Sequence, residues 1–112
     1  MLFVLMPLVR LRDCRWLEKN ANALAVQLTA QVTPTLSAQV LRMSRSEARG
    51  YVRAKSTPVI EAALEQIASV RPALQNSVPA AFIQRLAERI IRLALDDVAH
   101  GQVLRTEQRR AA

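Results

Sequence analysis

The chain has 112 residues, 51% of them hydrophobic and 22% charged, a composition typical of one folded domain and not of a disordered protein. With only two glycines, the sequence excludes a glycine-rich loop that cradles nucleotide phosphates, and its Ala, Leu and Arg content favours helix over sheet. The single cysteine, Cys14, excludes an internal disulfide and favours a reducing compartment, so we expect a cytoplasmic protein.

The net charge of +7 is unevenly distributed along the chain. Residues 1–56 contain nine basic and three acidic side chains, whereas residues 57–112 contain seven basic and six acidic ones. Every basic residue except Lys19 and Lys55 is an arginine, the side chain best suited to paired hydrogen bonds with phosphate or carboxylate. The charge therefore indicates an acidic partner, unless it only reflects a genome that favours arginine and alanine.

The first nine residues, MLFVLMPLV, are apolar but too few to span a bilayer. Basic residues follow this stretch rather than precede it, which is not the order of a secretory signal peptide. We assign residues 1–15 to a poorly ordered apolar and basic segment, with docking on the core or contact with a membrane surface as alternatives. Met43 is an alternative start, in which case residues 1–42 do not belong to the translated protein.

Residues 20–41 contain no charged side chain. A helix over residues 16–32 is predicted by apolar residues that recur at helical spacing, namely Leu17, Ala21, Leu24, Leu28 and Val32. Pro34 disfavours helix in the residue before it, so we expect a break there and a second helix capped by Thr35. Two uncharged helices fit a buried position in a bundle or a subunit interface, and their polar residues argue against a transmembrane segment.

Four arginines between residues 42 and 53 form the candidate binding site for nucleic acid or an acidic partner. Ser44 and Glu47 have the spacing of a capping box, so either a new helix begins here or the preceding helix continues through. If residues 40–56 form one helix, about 80° of its circumference contains the whole stripe, Arg42, Arg45, Arg49 and Arg53. A solvated helix face has the same pattern, and no helix-turn-helix spacing indicates base-specific recognition.

The strongest pattern lies in residues 79–100, whose apolar face consists of Phe82, Ile83, Leu86, Ile90, Leu93, Ala94 and Val98. Asn76 or Ser77 is the expected cap of this helix, and Gly101 its expected end. Ile91 and Leu95 widen the apolar face. We therefore expect the helix to pack against two other helices, or against one helix and a second subunit.

Another helix is predicted over residues 58–70, because Thr57 and Pro58 have the order of a cap and a first-turn proline. The short connector of residues 71–78 predicts that this helix forms an antiparallel hairpin with the C-terminal one. Ion pairs between the two helices are then expected among Glu61, Glu65, Arg85, Arg89 and Arg92.

Catalysis is not expected from this sequence. Asp96, Asp97 and His100 form the sole cluster of carboxylates with the histidine, but a metal site needs further ligands, and His100 suits the negative end of a helix dipole. Cys14 has arginines nearby but no identifiable base or orienting group. We predict no catalytic residue, metal, cofactor or small-molecule substrate.

These patterns predict an all-α bundle of three to four helices with an amphipathic C-terminal helix. Residues 16–101 are expected to form its single domain, and residues 102–112 a basic tail. The expected function is that of a non-catalytic interaction or regulatory protein that self-associates and binds an acidic partner surface. Sequence-nonspecific nucleic-acid binding through the arginine stripe is the alternative, and membrane contact led by residues 1–16 is a weaker one.

Overall fold

Four α-helices form the fold in the computed structural model, which describes the backbone of residues 2–75 and 78–111 and the side chains of residues 11–75 and 78–101. The helices are α1 (Leu2–Lys19), α2 (Ala21–Val32), α3 (Arg45–Val70) and α4 (Ala80–Ala111). Three short 3₁₀ helices span Thr33–Thr35, Ala38–Arg42 and Pro72–Leu74. No strand occurs in these residues, so the predicted small all-α bundle is confirmed.

Helix α4 packs against both α2 and α3 through its apolar face. The predicted face is buried or half-buried along its whole length: Phe82, Ile83, Leu86, Ile90, Leu93, Ala94 and Val98. Ile90 and Ile91 have no exposed surface, and each fully buried side chain of this size contributes about 1.5–3 kcal/mol. Because the widened face has two helical neighbours within the same chain, the expected packing against two other helices is confirmed.

Residues 16–32 are helical as predicted except at Asn20, where α1 ends and α2 begins, so two helices stand in place of one. Asn20 leaves the helical conformation (φ −101°, ψ 6°), and its side-chain amide donates a hydrogen bond of 2.8 Å to the carbonyl oxygen of Trp16. A short polar side chain that bonds its own backbone ends α1 here. Helix α1 begins at Leu2, within the segment that was expected to be poorly ordered.

The predicted helix after Thr35 is replaced by a 3₁₀ helix, Ala38–Arg42. Leu36 and Ser37 are extended, and the Ser37 hydroxyl accepts a hydrogen bond of 3.2 Å from the Gln39 N–H. Thr35 does not cap a helix, because its hydroxyl donates to the carbonyl oxygen of Val32 at 2.7 Å. Residues that precede Met43 nevertheless supply much of the hydrophobic core: Leu17, Ala25, Leu28, Val32 and Val40.

Helix α3 starts at the predicted capping box and passes through the predicted boundary at Pro58, which is therefore wrong. The Ser44 hydroxyl accepts from the Glu47 N–H at 3.2 Å, so a new helix begins after Ser44. Proline inside a helix costs about 3 kcal/mol because it has no N–H to donate. On both sides of Pro58 the helix buries Val52, Ser56 and Ile60, whose burial offsets that cost.

The prediction that the C-terminal helix ends at Gly101 is also wrong, because α4 continues to Ala111. Glycine inside a helix costs about 1 kcal/mol relative to alanine, too little to end a helix of this length. The expected caps Asn76 and Ser77 lie outside the described residues. The proposed domain limits at residues 16 and 101 stay a prediction.

The connector between α3 and α4 is fixed to α1 by a partly buried ion pair. Arg71, the first residue after α3, donates to the carboxylate of Asp13 at 2.8 Å, and its guanidinium lies 4.2 Å from the ring centroid of Trp16. The Asp13 side chain is only 7% exposed. Asp13 and Trp16 of α1 therefore hold Arg71, and with it the start of the connector that leads to α4.

Candidate functional site

An open groove of 660 Å³ lies between α4 and the junction of α1 with α2. Its apolar floor includes Phe82 and Leu86, which are almost completely buried. Four basic side chains line it: Lys19, Arg85, Arg89 and Arg92. We call this feature, with those four cations and that floor, the basic groove.

The three arginines of the basic groove follow from the spacing of α4. Residues 85, 89 and 92 recur at one helical turn, so their side chains share a face. That face is opposite the buried face that includes Ile90 and Ala94. Lys19 comes from the last turn of α1, and the break at Asn20 lets the first turn of α2 complete the groove.

Two of the four cations have hydrogen-bond partners across the groove. Arg85 donates to the carboxylate of Glu18 at 2.5 Å, and Arg89 donates to the side-chain oxygen of Asn22. Among the described side chains, Lys19 and Arg92 have no carboxylate within ion-pairing distance. Asn22 is neutral, so it orients Arg89 without compensating its charge. An incoming acidic group therefore finds three cations without a carboxylate partner in the described part of the chain, Lys19, Arg89 and Arg92.

Glu88 joins α3 to the edge of the basic groove. Its carboxylate accepts hydrogen bonds from both Arg49 and Arg53, and Glu88 itself lines the groove. The side chains are 39% exposed for Arg49, 49% for Arg53 and 41% for Glu88. Ion pairs this exposed contribute about 0.2–1 kcal/mol each, so the contact orients the two arginines more than it stabilises the fold.

The structure does not bring the predicted arginine stripe together. The single helix over residues 40–56 is not formed, because Met43 and Ser44 are extended. Arg42 therefore ends the 3₁₀ helix and Arg45 begins α3, and both are exposed. Of the four predicted site residues, Arg49 and Arg53 alone meet at one carboxylate.

The predicted ion pairs between the last two helices are also wrong in their partners. Glu61 and Glu65 were expected beside the arginines of α4, but both are exposed on α3. Arg85 pairs instead with Glu18 of α1. The α4 carboxylate that contacts α3 is Glu88, and it meets the N-terminal half of α3 instead of the half next to the connector.

The side chains singled out for metal binding or reactivity do not form a cluster of metal ligands among the described residues. Asp96, Asp97 and His100 are all exposed on α4. Within the side chains that the structure describes, no three His, Cys, Asp or Glu residues lie close enough to hold a metal ion. Cys14 is a half-buried free thiol.

The chain matches no protein-family model, no curated protein and no solved structure. Among the helices of the described residues, none has the length and apolar character needed to cross a membrane.

Proposed function

We propose that this protein is a non-catalytic interaction protein that binds an acidic protein surface in the basic groove. The observation that carries the proposal is the combination of four basic side chains with the apolar floor at Phe82 and Leu86. An amphipathic acidic segment could place carboxylates on the cations and apolar side chains toward the floor. The free thiol of Cys14 fits a cytoplasmic location for such a protein.

Nucleic-acid binding is supported less well by the same side chains. A phosphate backbone needs several uncompensated cations in a row, whereas Arg49, Arg53 and Arg85 already contact carboxylates. Single-stranded nucleic acid is also bound by exposed aromatic rings on which bases stack. Trp16 carries the guanidinium of Arg71 on its ring, and the Tyr51 hydroxyl accepts from the Ser37 N–H at 3.1 Å.

The test compares two variants that each remove two positive charges. Lys19→Ala with Arg92→Ala changes the basic groove, and Arg42→Ala with Arg45→Ala changes exposed residues outside it. The probe is a labelled helical peptide with glutamates on one face and leucines on the other, titrated by fluorescence anisotropy. We expect the groove variant to weaken binding about tenfold, a difference of about 1.4 kcal/mol, and the control to bind like the unchanged protein.

A labelled DNA duplex, titrated at several salt concentrations, provides the opposing outcome. Four phosphate contacts predict a slope of log affinity against log salt of about −3.6. Duplex binding with that slope, lost in the Arg42 and Arg45 variant while the peptide fails to bind, would overturn the proposal. Nucleic-acid binding through the predicted arginine stripe would then replace it.

A further inference from the structure

A second groove, of 470 Å³, lies between α2 and the C-terminal half of α3. Its walls include Leu24 and Leu28 from α2 and Val59, Ala63 and Ile67 from α3. It shares no lining residue with the basic groove. We call this feature, with those five apolar side chains, the neutral groove.

Charge is nearly absent from the neutral groove. Helix α2 has no charged residue, and the one charged side chain that lines the groove is Arg71. Its guanidinium is already held by Asp13 and Trp16. An acidic partner would therefore gain little here.

We infer that the neutral groove binds the neutral groove of a second copy of this chain. The net charge of +7 makes two copies repel each other over most of their surfaces. Repulsion is weakest where both copies present uncharged side chains. The charge distribution thus favours self-association at this surface over the rest of the molecule, and it favours a second copy over an acidic ligand.

The polar residues of the groove suit contact between identical surfaces. Gln27, Gln31 and Gln66 line it, and each amide has both a donor and an acceptor. In a two-fold interface the same patch faces itself, so every polar group must be able to pair with groups of its own kind. Amides meet that condition, whereas a patch of carboxylates or guanidiniums does not.

An exposed apolar side chain borders the same surface. Val70 lines the groove and is 80% exposed, more than any other large apolar side chain of the described residues. In a symmetric pair each copy can insert its Val70 at the groove of the other, which buries apolar surface on both sides.

The test is sedimentation velocity over a concentration series with the full chain. We expect the unchanged protein to form a dimer as its concentration rises through the micromolar range. Gln66→Lys places like charges on both copies and should weaken the dimer about tenfold or more. Gln39→Lys is the matched control, because Gln39 is exposed and does not line the neutral groove, and it should dimerise normally.

Charge complementation makes the test specific. Gln66→Lys and Gln66→Glu should each dimerise poorly alone, and an equimolar mixture should recover the dimer because opposite charges then face each other. A monomer at all concentrations in the unchanged protein overturns the inference, as does a dimer that Gln66→Lys leaves intact. Because the basic groove is unaltered in these variants, peptide binding there tests the proposed function separately.

Discussion

The basic groove and the neutral groove both use α2, yet they differ in almost every other property. The first turn of α2 contributes Ala21 and Asn22 to the basic groove, whereas Leu24, Gln27, Leu28 and Gln31 belong to the neutral one. In the basic groove two of the four cations bond to side-chain oxygen atoms across the groove, whereas the neutral groove has one charged side chain, Arg71. Folding thus separates a groove lined by four cations from a groove lined by a single one.

The hydrophobic core supports both grooves, and we expect substitutions in it to lower the stability of the protein most. Ile90→Ala removes a side chain with no exposed surface, and we expect a loss of about 2–5 kcal/mol in the free energy of unfolding. Urea denaturation followed by circular dichroism measures it. Leu93→Ala, at a half-buried position of the same helix, should lose less.

The consequence for the two grooves is equally testable. Because α4 packs on both α2 and α3, the Ile90→Ala variant should weaken peptide binding and dimerisation together. An equal loss of stability in Ile90→Ala and Leu93→Ala would contradict the central position of Ile90 in the core.

The ion pair between Asp13 and Arg71 allows one groove to be perturbed without the other. Asp13→Ala leaves Arg71 without its carboxylate, and the loss of a largely buried charged hydrogen bond should cost about 2 kcal/mol. Arg71 lines the neutral groove, so its released charge should also weaken dimerisation while peptide binding persists. Thermal unfolding and sedimentation give the two readouts.

Asp96→Ala is the control for this prediction, because Asp96 is exposed and has no ion-pair partner among the described side chains. Its stability should change by less than about 0.5 kcal/mol. If Asp13→Ala behaves like Asp96→Ala, the ion pair does not fix the connector.

Pro58 lies between the two halves of α3, one next to the basic groove and one forming the neutral groove. Pro58→Ala restores an N–H that can donate to the carbonyl oxygen of Ala54. The interior penalty of proline is about 3 kcal/mol, but proline also stabilises by about 0.4–1 kcal/mol because it restricts the unfolded chain, so we expect a net gain of about 2 kcal/mol. Urea denaturation measures it, and a loss of stability would mean that the fold requires the proline.

The two halves of α3 also explain which helix limits could be predicted. The face of α4 was predictable because the apolar repeat is long and every member of it is buried or half-buried. Pro58 and Gly101 were misleading as single-residue signals, since the burial of side chains on both sides of Pro58 outweighs a local penalty. The break at Asn20 has no proline or glycine to mark it and depends on one side-chain hydrogen bond.

The candidate site was predictable only in part for a related reason. The spacing of Arg85, Arg89 and Arg92 on the polar face of α4 is visible in the sequence. The partners of these arginines cannot be read from the sequence. Glu18, for example, lies 67 positions from Arg85 and contacts it only in the folded chain. The prediction of a four-arginine stripe was wrong because it required one continuous helix. Met43 and Ser44 are extended instead and separate Arg42 from α3.

The smallest expected change in stability concerns the carboxylate that compensates the α3 arginines. Glu88→Gln removes the charge that faces Arg49 and Arg53, at a loss of at most about 1 kcal/mol because all three side chains are well exposed. Two further cations then become available at the edge of the basic groove, so the acidic peptide should bind more tightly and with a stronger dependence on salt.

Anisotropy titrations at low and high salt measure both effects. Glu61→Gln removes an equal charge from an exposed position of α3 that does not contact Glu88, and it should leave the peptide affinity unchanged. If both variants bind the peptide equally tightly, net charge and not the geometry around Glu88 governs the affinity, and the distinction between the two grooves loses its electrostatic basis.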